Sequence, residues 1–210
     1  MDLLEGSTII LAGKVFRLAG SGHILKFFRV KRLFSSARLW PYAARFEHNA
    51  RHLAELGIPT LRVIETYRIP VLGQTAARYE ELPGRPLEEL LAEKGPTPEN
   101  VRKLASFFAS LHRKGVYFRS IQFGNILVTP GGELGLIDIV DMKLLGRPLG
   151  FGRRLRNFNH LFRNDVDRKI IRPAIEPFLS AYRESSGIST SRLTRIRRRV
   201  LPLLDQPGQT

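Results

Sequence analysis

The amino-acid sequence predicts an α+β fold in which a small antiparallel sheet with one helix precedes a mainly helical part. Short apolar runs separated by glycine or proline turns fill much of residues 8–79, a pattern typical of strands joined by hairpins. From residue 86 onwards, apolar residues recur at spacings of three and four, which is typical of amphipathic helices. We therefore expect two lobes, an N-terminal one over residues 1–82 and a C-terminal one over residues 83–210.

The N-terminal lobe is predicted to open with three strands: Thr8–Leu11, Val15–Leu18 and His23–Val30. Lys26 lies in the middle of the third, which is otherwise apolar except at its flanks. A buried ammonium group is costly unless it is paired, so Lys26 is either a binding residue or an edge-strand lysine that points to solvent. Gly13, or Gly20 with Gly22, could form a turn whose backbone N–H groups cover a phosphate.

A helix is predicted from about Tyr42 to Leu56, because Pro41 fits the first turn of a helix and Gly57 is typical of a helix end. Glu47 lies beside the apolar stripe of this helix. Glu55 is the alternative inward-facing acid, and a solvated surface position is the other interpretation of Glu47. Two further strands, Leu61–Tyr67 and Ala76–Tyr79, complete a five-stranded antiparallel lobe.

The C-terminal lobe is predicted to contain a short helix, Pro86–Lys94, and a longer one that starts at Thr97 and Pro98 and stops at Gly115. Further along, the pattern predicts a helix from about Pro173 to Tyr182 and a basic helix that continues up to Pro202.

The functional prediction depends on residues 112–141, which begin near the end of the longer helix and precede the last third of the chain. A β-hairpin is predicted here, with strands Ile126–Val128 and Leu134–Ile137 joined by a turn. Asn125 and Asp138 stand at its two ends, so strand pairing can bring them together. Magnesium needs such oxygen ligands, and phosphates usually complete its shell.

Position by position, this stretch resembles the catalytic loop and metal-binding strand of the protein-kinase-like fold. The tripeptide FRS at 118–120 corresponds to H-R-D, Asn125 to the loop asparagine and DIV at 138–140 to D-F-G. The resemblance implies that Asn125 and Asp138 hold Mg²⁺, that Arg119 braces the loop, and that Ser120 replaces the catalytic aspartate. Asp141, which follows the strand end, is the competitor of Asp138.

The same resemblance implies an ATP site in the N-terminal lobe. Lys26 would hold the α- and β-phosphates and Glu47 would hold the lysine in place. The segment YEELPG at 79–84 resembles the hinge between kinase lobes, where backbone groups of Glu80 and Leu82 would hold adenine.

The order of these motifs over residues 8–145 is similar to that of the bacterial lipopolysaccharide kinase family, which phosphorylates Kdo or heptose of the inner core. The segments YFRSIQFGNILV, LGLIDIVDM and RNFNHLFR are most similar to members labelled toluene-tolerance proteins. The family implies a bilobal kinase-like fold, Mg-ATP as phosphoryl donor, and action on a core glycolipid at the cytoplasmic side of the inner membrane.

Ser120 leaves two interpretations of this chain, an active enzyme and a pseudokinase. A serine of ordinary pKa cannot accept the proton of the attacking hydroxyl, and general-base help is worth roughly 10²–10⁴ in rate. Asp141, a nearby carboxylate, is the candidate to substitute for it. The alternative is a regulatory or scaffolding pseudokinase that binds another core-assembly enzyme.

Charge suggests an anionic partner. The chain has 34 Lys and Arg against 19 Asp and Glu, a net charge of +15, and residues 143–200 contain 15 of the former and 4 of the latter. Anionic lipid or glycolipid phosphate fits this surface, with Arg153, Arg154, Arg156 and residues 195–199 as candidates. No recognition-helix, RNP-like or zinc motif supports nucleic acid. Without cysteine, a signal-peptide pattern or a membrane-length apolar run, we expect a cytoplasmic protein, peripheral on the inner membrane at most.

Overall fold

The computed structural model describes residues 6–11, 14–29 and 40–205. The chain divides into two compact units, Met1–Leu82 and Pro83–Thr210. Gly13, one of the predicted phosphate-turn residues, lies outside the described residues, as do residues 31–39 and the last five.

The N-terminal unit is a five-stranded antiparallel sheet with one helix. Its strands follow the order β1-β2-β3-β5-β4 in the sheet. In chain order the elements are β1 (Thr8–Leu11), β2 (Val15–Arg17), β3 (Ile24–Arg29), α1 (Tyr42–Glu55), β4 (Arg62–Ile69) and β5 (Gln74–Glu80). The predicted strands and helix are present within one or two residues of their expected ends. Val30, the expected end of the third strand, lies outside the described residues.

The helix of this unit packs on one face of the sheet through aromatic side chains. Phe46 of α1 is fully buried and contacts Phe28 of β3 and Tyr79 of β5, with ring centroids 5.5 and 5.3 Å apart. On the other face, Leu25 packs with Leu18 and Ala76. Alternate residues of β3 therefore serve two apolar layers, as the two-residue period of a strand requires.

The C-terminal unit is mainly helical. Its elements are β6 (Arg85–Pro86), α2 (Leu87–Lys94), α3 (Pro98–Arg113), β7 (Val116–Phe118), β8 (Ile126–Val128), β9 (Leu134–Leu136), β10 (Met142–Leu144), α4 (Phe151–Leu161), α5 (Asp165–Ile171), α6 (Ile175–Ser186) and α7 (Thr190–Leu204). The strands form a three-stranded sheet, β6-β8-β9, and a separate β7-β10 pair. Thr97 caps α3 as predicted, because its hydroxyl accepts a hydrogen bond from the Asn100 N–H at 3.3 Å.

The core of this unit is aromatic. Phe158 of α4 lies at its centre, with ring contacts to Phe108 of α3, to Phe178 and Tyr182 of α6, and to Phe162 just after α4. All five rings are fully buried. Helices α3, α4 and α6 therefore depend on one shared cluster, which supports the backbone that precedes the hairpin β8–β9.

Gly115 is a position where the chain requires glycine. It has φ +77, and a Cβ there would collide with the carbonyl of Arg147. The chain can thus leave α3 and enter β7 in close contact with the segment that follows β10.

Two helices of the C-terminal unit were not predicted, and two others end later than predicted. Helix α6 begins at Ile175 and ends at Ser186, four residues beyond the expected Tyr182. Helices α4 and α5 lie in a stretch whose glycines and dense charges conceal the apolar period. Helix α7 continues past Pro202 to Leu204, because a proline so near the end of a helix removes one backbone hydrogen bond without breaking the turns before it. Among the helices of the described ranges, none is long and apolar enough to cross a bilayer.

Truncating the central ring should measure how far the aromatic cluster holds the unit together. Phe158→Ala is expected to lower the unfolding free energy by about 3–5 kcal/mol, because the cavity left among packed rings cannot collapse. Urea denaturation measures it. The control is Val166→Ala on α5, a side chain that is 44% exposed, and it should change stability by about 0.5 kcal/mol or less. Equal losses in the two variants would contradict the central position of Phe158.

Candidate functional site

The irregular loop between β7 and β8, residues 119–125, is closed by one of its own side chains. Asn125 donates from Nδ2 to the carbonyl of Ser120 at 2.8 Å, and its backbone N–H bonds to the carbonyl of Gln122 at 3.0 Å. The side chain is 8% exposed. Because Nδ2 is engaged in this bond, the amide oxygen Oδ1 is the atom that can face a cation.

Asp138 is brought to the same place by the hairpin β8–β9. Ile126 pairs with Leu136, and the N–H of Ile137 bonds to the carbonyl of Asn125 at 3.0 Å. Asp138 follows directly in the chain. It has φ 51 and ψ 44 and is the one non-glycine residue with positive φ in the described part of the chain. Such a conformation is costly for most residues and is frequent at functional sites.

The chain then returns alongside the loop. The N–H of Arg119 bonds to the carbonyl of Asp141 at 3.3 Å, and Phe118 pairs with Met142 across β7–β10. The structure therefore brings the predicted residues 119, 120, 125, 138 and 141 together within one unit. Asp138 is half-buried, whereas Asp141 and Arg119 are exposed. The bracing role of Arg119 stays a prediction.

Helix α4 holds the start of the loop through a buried polar chain. Asn157 donates from Nδ2 to the carbonyl of Phe118 at 2.7 Å. Its Oδ1 lies 3.2 Å from Nε2 of His112, and Nδ1 of His112 lies 2.7 Å from the hydroxyl of Tyr182. Since Oδ1 can only accept, Nε2 of His112 carries the proton and Nδ1 accepts from Tyr182. Burial lowers the pKa of His112 to about 3, so the ring is neutral.

Helix α5 holds the middle of the loop. The carboxylate of Asp167 accepts the N–H of Phe123 at 2.9 Å, and Nδ2 of Asn164 donates to Oε1 of Gln122 at 3.3 Å. Asp167 is fully buried. Burial raises its pKa to about 7, against the opposing effect of the Phe123 N–H, while the charge of Glu88 raises it further.

Sequence reasoning missed Asp167, Asn157 and Tyr182. One signal was available for the first, because Asn164 followed by Asp165 is a typical helix start, and Asn164 does accept the Val166 N–H at 2.8 Å as the N-cap. Nothing in the sequence indicated that the next acid on that helix turns inward.

In the N-terminal unit, Lys26 lies on the face of the sheet that α1 covers. Its ammonium group is 5.6 Å from the centroid of the Phe46 ring and 5.7 Å from that of Phe28, within cation–π range. Strand β3 lies between β2 and β5. The interpretation of Lys26 as an edge-strand lysine is therefore wrong.

Glu47 is exposed, one residue along from the buried Phe46. With Arg51 and Arg62 it lines a cavity of about 450 Å³ between α1 and the chain entering β4. Asn49 is the buried polar residue of this helix, at 2% exposure. The alternative acid, Glu55, is exposed beside His52. That Glu47 holds Lys26 stays a prediction.

The predicted adenine-binding residues lie at the end of the N-terminal unit. The carboxylate of Glu80 accepts two hydrogen bonds from Arg62, one of them 2.8 Å from Nε, and lies 3.7 Å from His23. Its side chain is thus engaged, while the predicted contact used backbone groups of Glu80 and Leu82 and stays a prediction. Gly20 and Gly22 form the β2–β3 turn, with φ 76 and 67.

Solved structures similar to this chain share little of its sequence. No protein-family description and no curated protein matches the sequence. Solved structures of WbdD, one with a kinase inhibitor and one described as a bifunctional kinase-methyltransferase, align with 88%, 93% and 90% of this chain at 16%, 14% and 14% identity, with TM-scores of 0.48, 0.47 and 0.49. The chain spans about half of those proteins: 46%, 50% and 47%. Similarity at this level transfers no activity.

The architecture itself has the predicted class. A five-stranded antiparallel sheet with one helix is followed by a mainly helical unit that contains the loop and the hairpin β8–β9. The chain has an α+β, bilobal, kinase-like fold, and this prediction is confirmed. Membership of the lipopolysaccharide kinase family stays a prediction.

The buried carboxyl of Asp167 should make stability depend on pH. In the folded protein it keeps its proton up to about pH 7, whereas in the unfolded chain it loses the proton near pH 4. The folded state then binds more protons between these values, so the contribution of Asp167 to stability is complete below about pH 4 and is lost as the pH rises through about 7.

Asp167→Asn keeps an acceptor for the Phe123 N–H but does not titrate. The unfolding free energy of wild type minus that of the variant should fall between pH 4 and pH 8, by at most roughly 4 kcal/mol at about 1.4 kcal/mol per pKa unit. Urea denaturation at each pH measures this difference. Val166→Ala, on the same helix, removes no titratable group and is the control, so its difference should not change with pH. An unchanged difference for Asp167→Asn would refute the assignment.

Proposed function

We propose that the chain is an ATP-dependent phosphotransferase that transfers a phosphoryl group to a sugar hydroxyl. The observation that carries the proposal is the position of Asn125 and Asp138 at the two ends of the hairpin β8–β9, where the N–H of Ile137, the residue before Asp138, bonds to the carbonyl of Asn125. A buried amide and a half-buried carboxylate so close along the hairpin supply two oxygen ligands of the kind that Mg²⁺ binds.

These two side chains fit Mg²⁺ that arrives with a nucleotide. In the described residues no group of three acids, histidines or cysteines could hold a metal ion alone. Magnesium is commonly bound by one or two carboxylates together with substrate phosphates. Such an ion neutralises negative charge on the transferring phosphate. Asn125 and Asp138 would hold it, and the bond from Asn125 to Ser120 would keep the amide oriented.

For the nucleotide, we assign Lys26 to the α- and β-phosphates, Glu47 to positioning the lysine, and backbone groups of Glu80 and Leu82 to adenine. The location of Lys26 on a central strand, over the rings of Phe46 and Phe28, supports a held rather than a solvated ammonium. The chemistry would then consist mainly of positioning and charge stabilisation.

For the acceptor, we propose Kdo or heptose of the lipopolysaccharide inner core. The motif order Lys26, Glu47, Asn125, Asp138 and the basic last third support this class of substrate, through the resemblance to lipopolysaccharide kinases. The positive surface would attract the enzyme from the cytoplasm to an anionic membrane that contains the glycolipid.

Ser120 supports a second candidate, a pseudokinase that regulates or scaffolds another core-assembly enzyme. A serine in place of the expected aspartate removes the ordinary general base. Against this, the backbone bond between Arg119 and Asp141 keeps a second, exposed carboxylate beside the loop. Asp141 is thus a candidate for the missing base.

Nucleotide binding can be tested without knowing the acceptor. A ligand at 100 times its Kd stabilises by about 2.7 kcal/mol, so Mg-ATP should raise the Tm of the wild type. Asp138→Asn should remove the magnesium-dependent part of this rise. Glu133→Gln, an exposed acid in the turn of the same hairpin, is the control and should retain it. No shift with millimolar Mg-ATP would contradict the proposed site.

Catalysis can be tested at Ser120 and Asp141. If the missing base limits the rate, Ser120→Asp should increase the rate of phosphoryl transfer to a Kdo-lipid acceptor. General-base catalysis contributes roughly 10²–10⁴-fold, which sets the size of the increase. If Asp141 supplies the base, Asp141→Asn should lower transfer by a similar factor while Mg-ATP binding is kept. Absence of transfer in the wild type and in Ser120→Asp, with Mg-ATP binding intact, would favour the pseudokinase.

A further inference from the structure

A basic groove lies between helices α4 and α7, and no residue of the loop 119–125 lines it. Its volume is about 460 Å³, within the range of about 300–1,000 Å³ typical of small-molecule sites. Its lining residues are Gly152, Leu155, Arg156, Asn159, Arg195, Arg198 and Arg199. We call it the arginine groove.

The groove concentrates positive charge without compensation. Four of its seven lining residues are arginines and none is acidic. Within the described part of the chain, Arg156, Arg195 and Arg198 form no ion pair. Arg197, on another face of the same helix, pairs with Glu176 at 2.6 Å. The groove arginines, unlike Arg197, are therefore not neutralised by an acidic neighbour and are able to bind an external anion.

Two of the four side chains are held in position. Nε of Arg199 donates to Oδ1 of Asn159 across the groove at 3.2 Å. The guanidinium of Arg195 lies 5.0 Å from the centroid of the Phe151 ring. Both contacts leave other guanidinium N–H groups available, and holding the side chains in advance lowers the entropy cost of binding a ligand.

In the free protein this arrangement is unfavourable. Arg195, Arg198 and Arg199 lie three and four residues apart, so their like charges are neighbours on one helix face and repel each other. A bound anion would reverse the sign of this contribution. The repulsion is a cost that a merely solubilising surface could avoid by spreading its charges.

The structure also divides the predicted set of basic residues. Arg154 turns inward, where it donates to the carbonyl of Leu149 at 3.0 Å and to the Tyr182 hydroxyl at 3.4 Å. Arg153 is exposed but does not line the groove. Neither belongs to the site, although both lie in the same basic run of α4.

We propose that the arginine groove binds an anion that carries two phosphate groups. Guanidinium groups bind phosphate oxygens through paired, charge-assisted hydrogen bonds. Four such groups around one groove match two phosphates in charge, since each phosphate bears between one and two negative charges near neutral pH. The source is either a soluble phosphate ester or a phosphorylated headgroup at a membrane. The proposal does not depend on the kinase proposal.

The first experiment is calorimetric titration of the full chain with inorganic pyrophosphate at low salt. The groove variant is Arg156→Gln/Arg198→Gln, and the control is Arg153→Gln/Arg197→Gln. Each removes one charge from α4 and one from α7, so the two have the same net charge. Saturable binding by the wild type should weaken about tenfold or more in the groove variant, because charge-assisted hydrogen bonds are lost, and by much less in the control.

The second experiment distinguishes the source of the phosphate. The same three proteins are sedimented with vesicles of phosphatidylglycerol mixed with phosphatidylcholine, and with phosphatidylcholine alone. Loss of vesicle binding in the groove variant but not in the control supports a membrane headgroup. Equal vesicle binding by both variants, with pyrophosphate binding lost only in the groove variant, supports a soluble phosphate ester.

Two results would overturn the proposal. One is equal weakening of pyrophosphate and vesicle binding in both variants, which would reduce the effect to net charge. The other is a groove variant that binds pyrophosphate as tightly as the wild type and binds vesicles as well as the control does. That result would mean that the anion binds elsewhere on the protein, for example at the proposed nucleotide site. Matched thermal unfolding of both variants confirms that neither has lost its fold.

Discussion

The irregular backbone of residues 118–125 needs hydrogen-bond partners that strand pairing does not supply. Side chains from α4 and α5 provide several of them, since Asn157 binds the carbonyl of Phe118 and Asp167 binds the N–H of Phe123. A buried polar group left without a partner costs about 1–3 kcal/mol. These contacts therefore select one conformation of the loop, and the position of Asn125 near the end of the hairpin that carries Asp138 depends on it. The aromatic cluster around Phe158 is the rigid support behind them.

Two buried titratable groups in this support respond to protons in opposite directions. Burial lowers the pKa of His112 to about 3 and raises that of Asp167 to about 7. As the pH falls, His112 binds a proton in the unfolded chain but stays neutral in the folded protein. Asp167 is already protonated in the folded protein at a pH where it is still ionised in the unfolded chain. Over the interval between about pH 4 and pH 6.5 the two linkage effects oppose each other. Both groups are therefore uncharged in the folded protein over this interval, and their opposite effects on stability partly cancel.

The sequence was sufficient for features that depend on local pattern and insufficient for those that depend on packing. The hairpin that joins Asn125 to Asp138 is encoded by two short apolar runs and a glycine turn, and Thr97 with Pro98 marks a helix start, so both could be predicted. Helix α4 could not, because arginines and glycines interrupt its apolar stripe. The inward direction of Asp167 depends on the burial of α5, and the separation of Arg154 from Arg156 depends on the neighbouring Tyr182, neither of which is a property of a local run. For Glu47, a position beside an apolar stripe indicates where the helix faces but not which partner its side chain meets.

The left-handed backbone at residue 138 decides how this position can be studied. Aspartate and asparagine enter that region at little cost, because their short polar side chains can bond locally, whereas most other side chains meet steric strain there. An alanine scan would therefore mix two effects at this residue, a lost oxygen ligand and a strained turn, and would attribute both to chemistry. Glycine would relieve the strain but loosen the loop entropically. Only the exchange of carboxylate for amide changes the ligand while the backbone stays as it is, so libraries read by loss of function will overstate position 138 relative to Asn125.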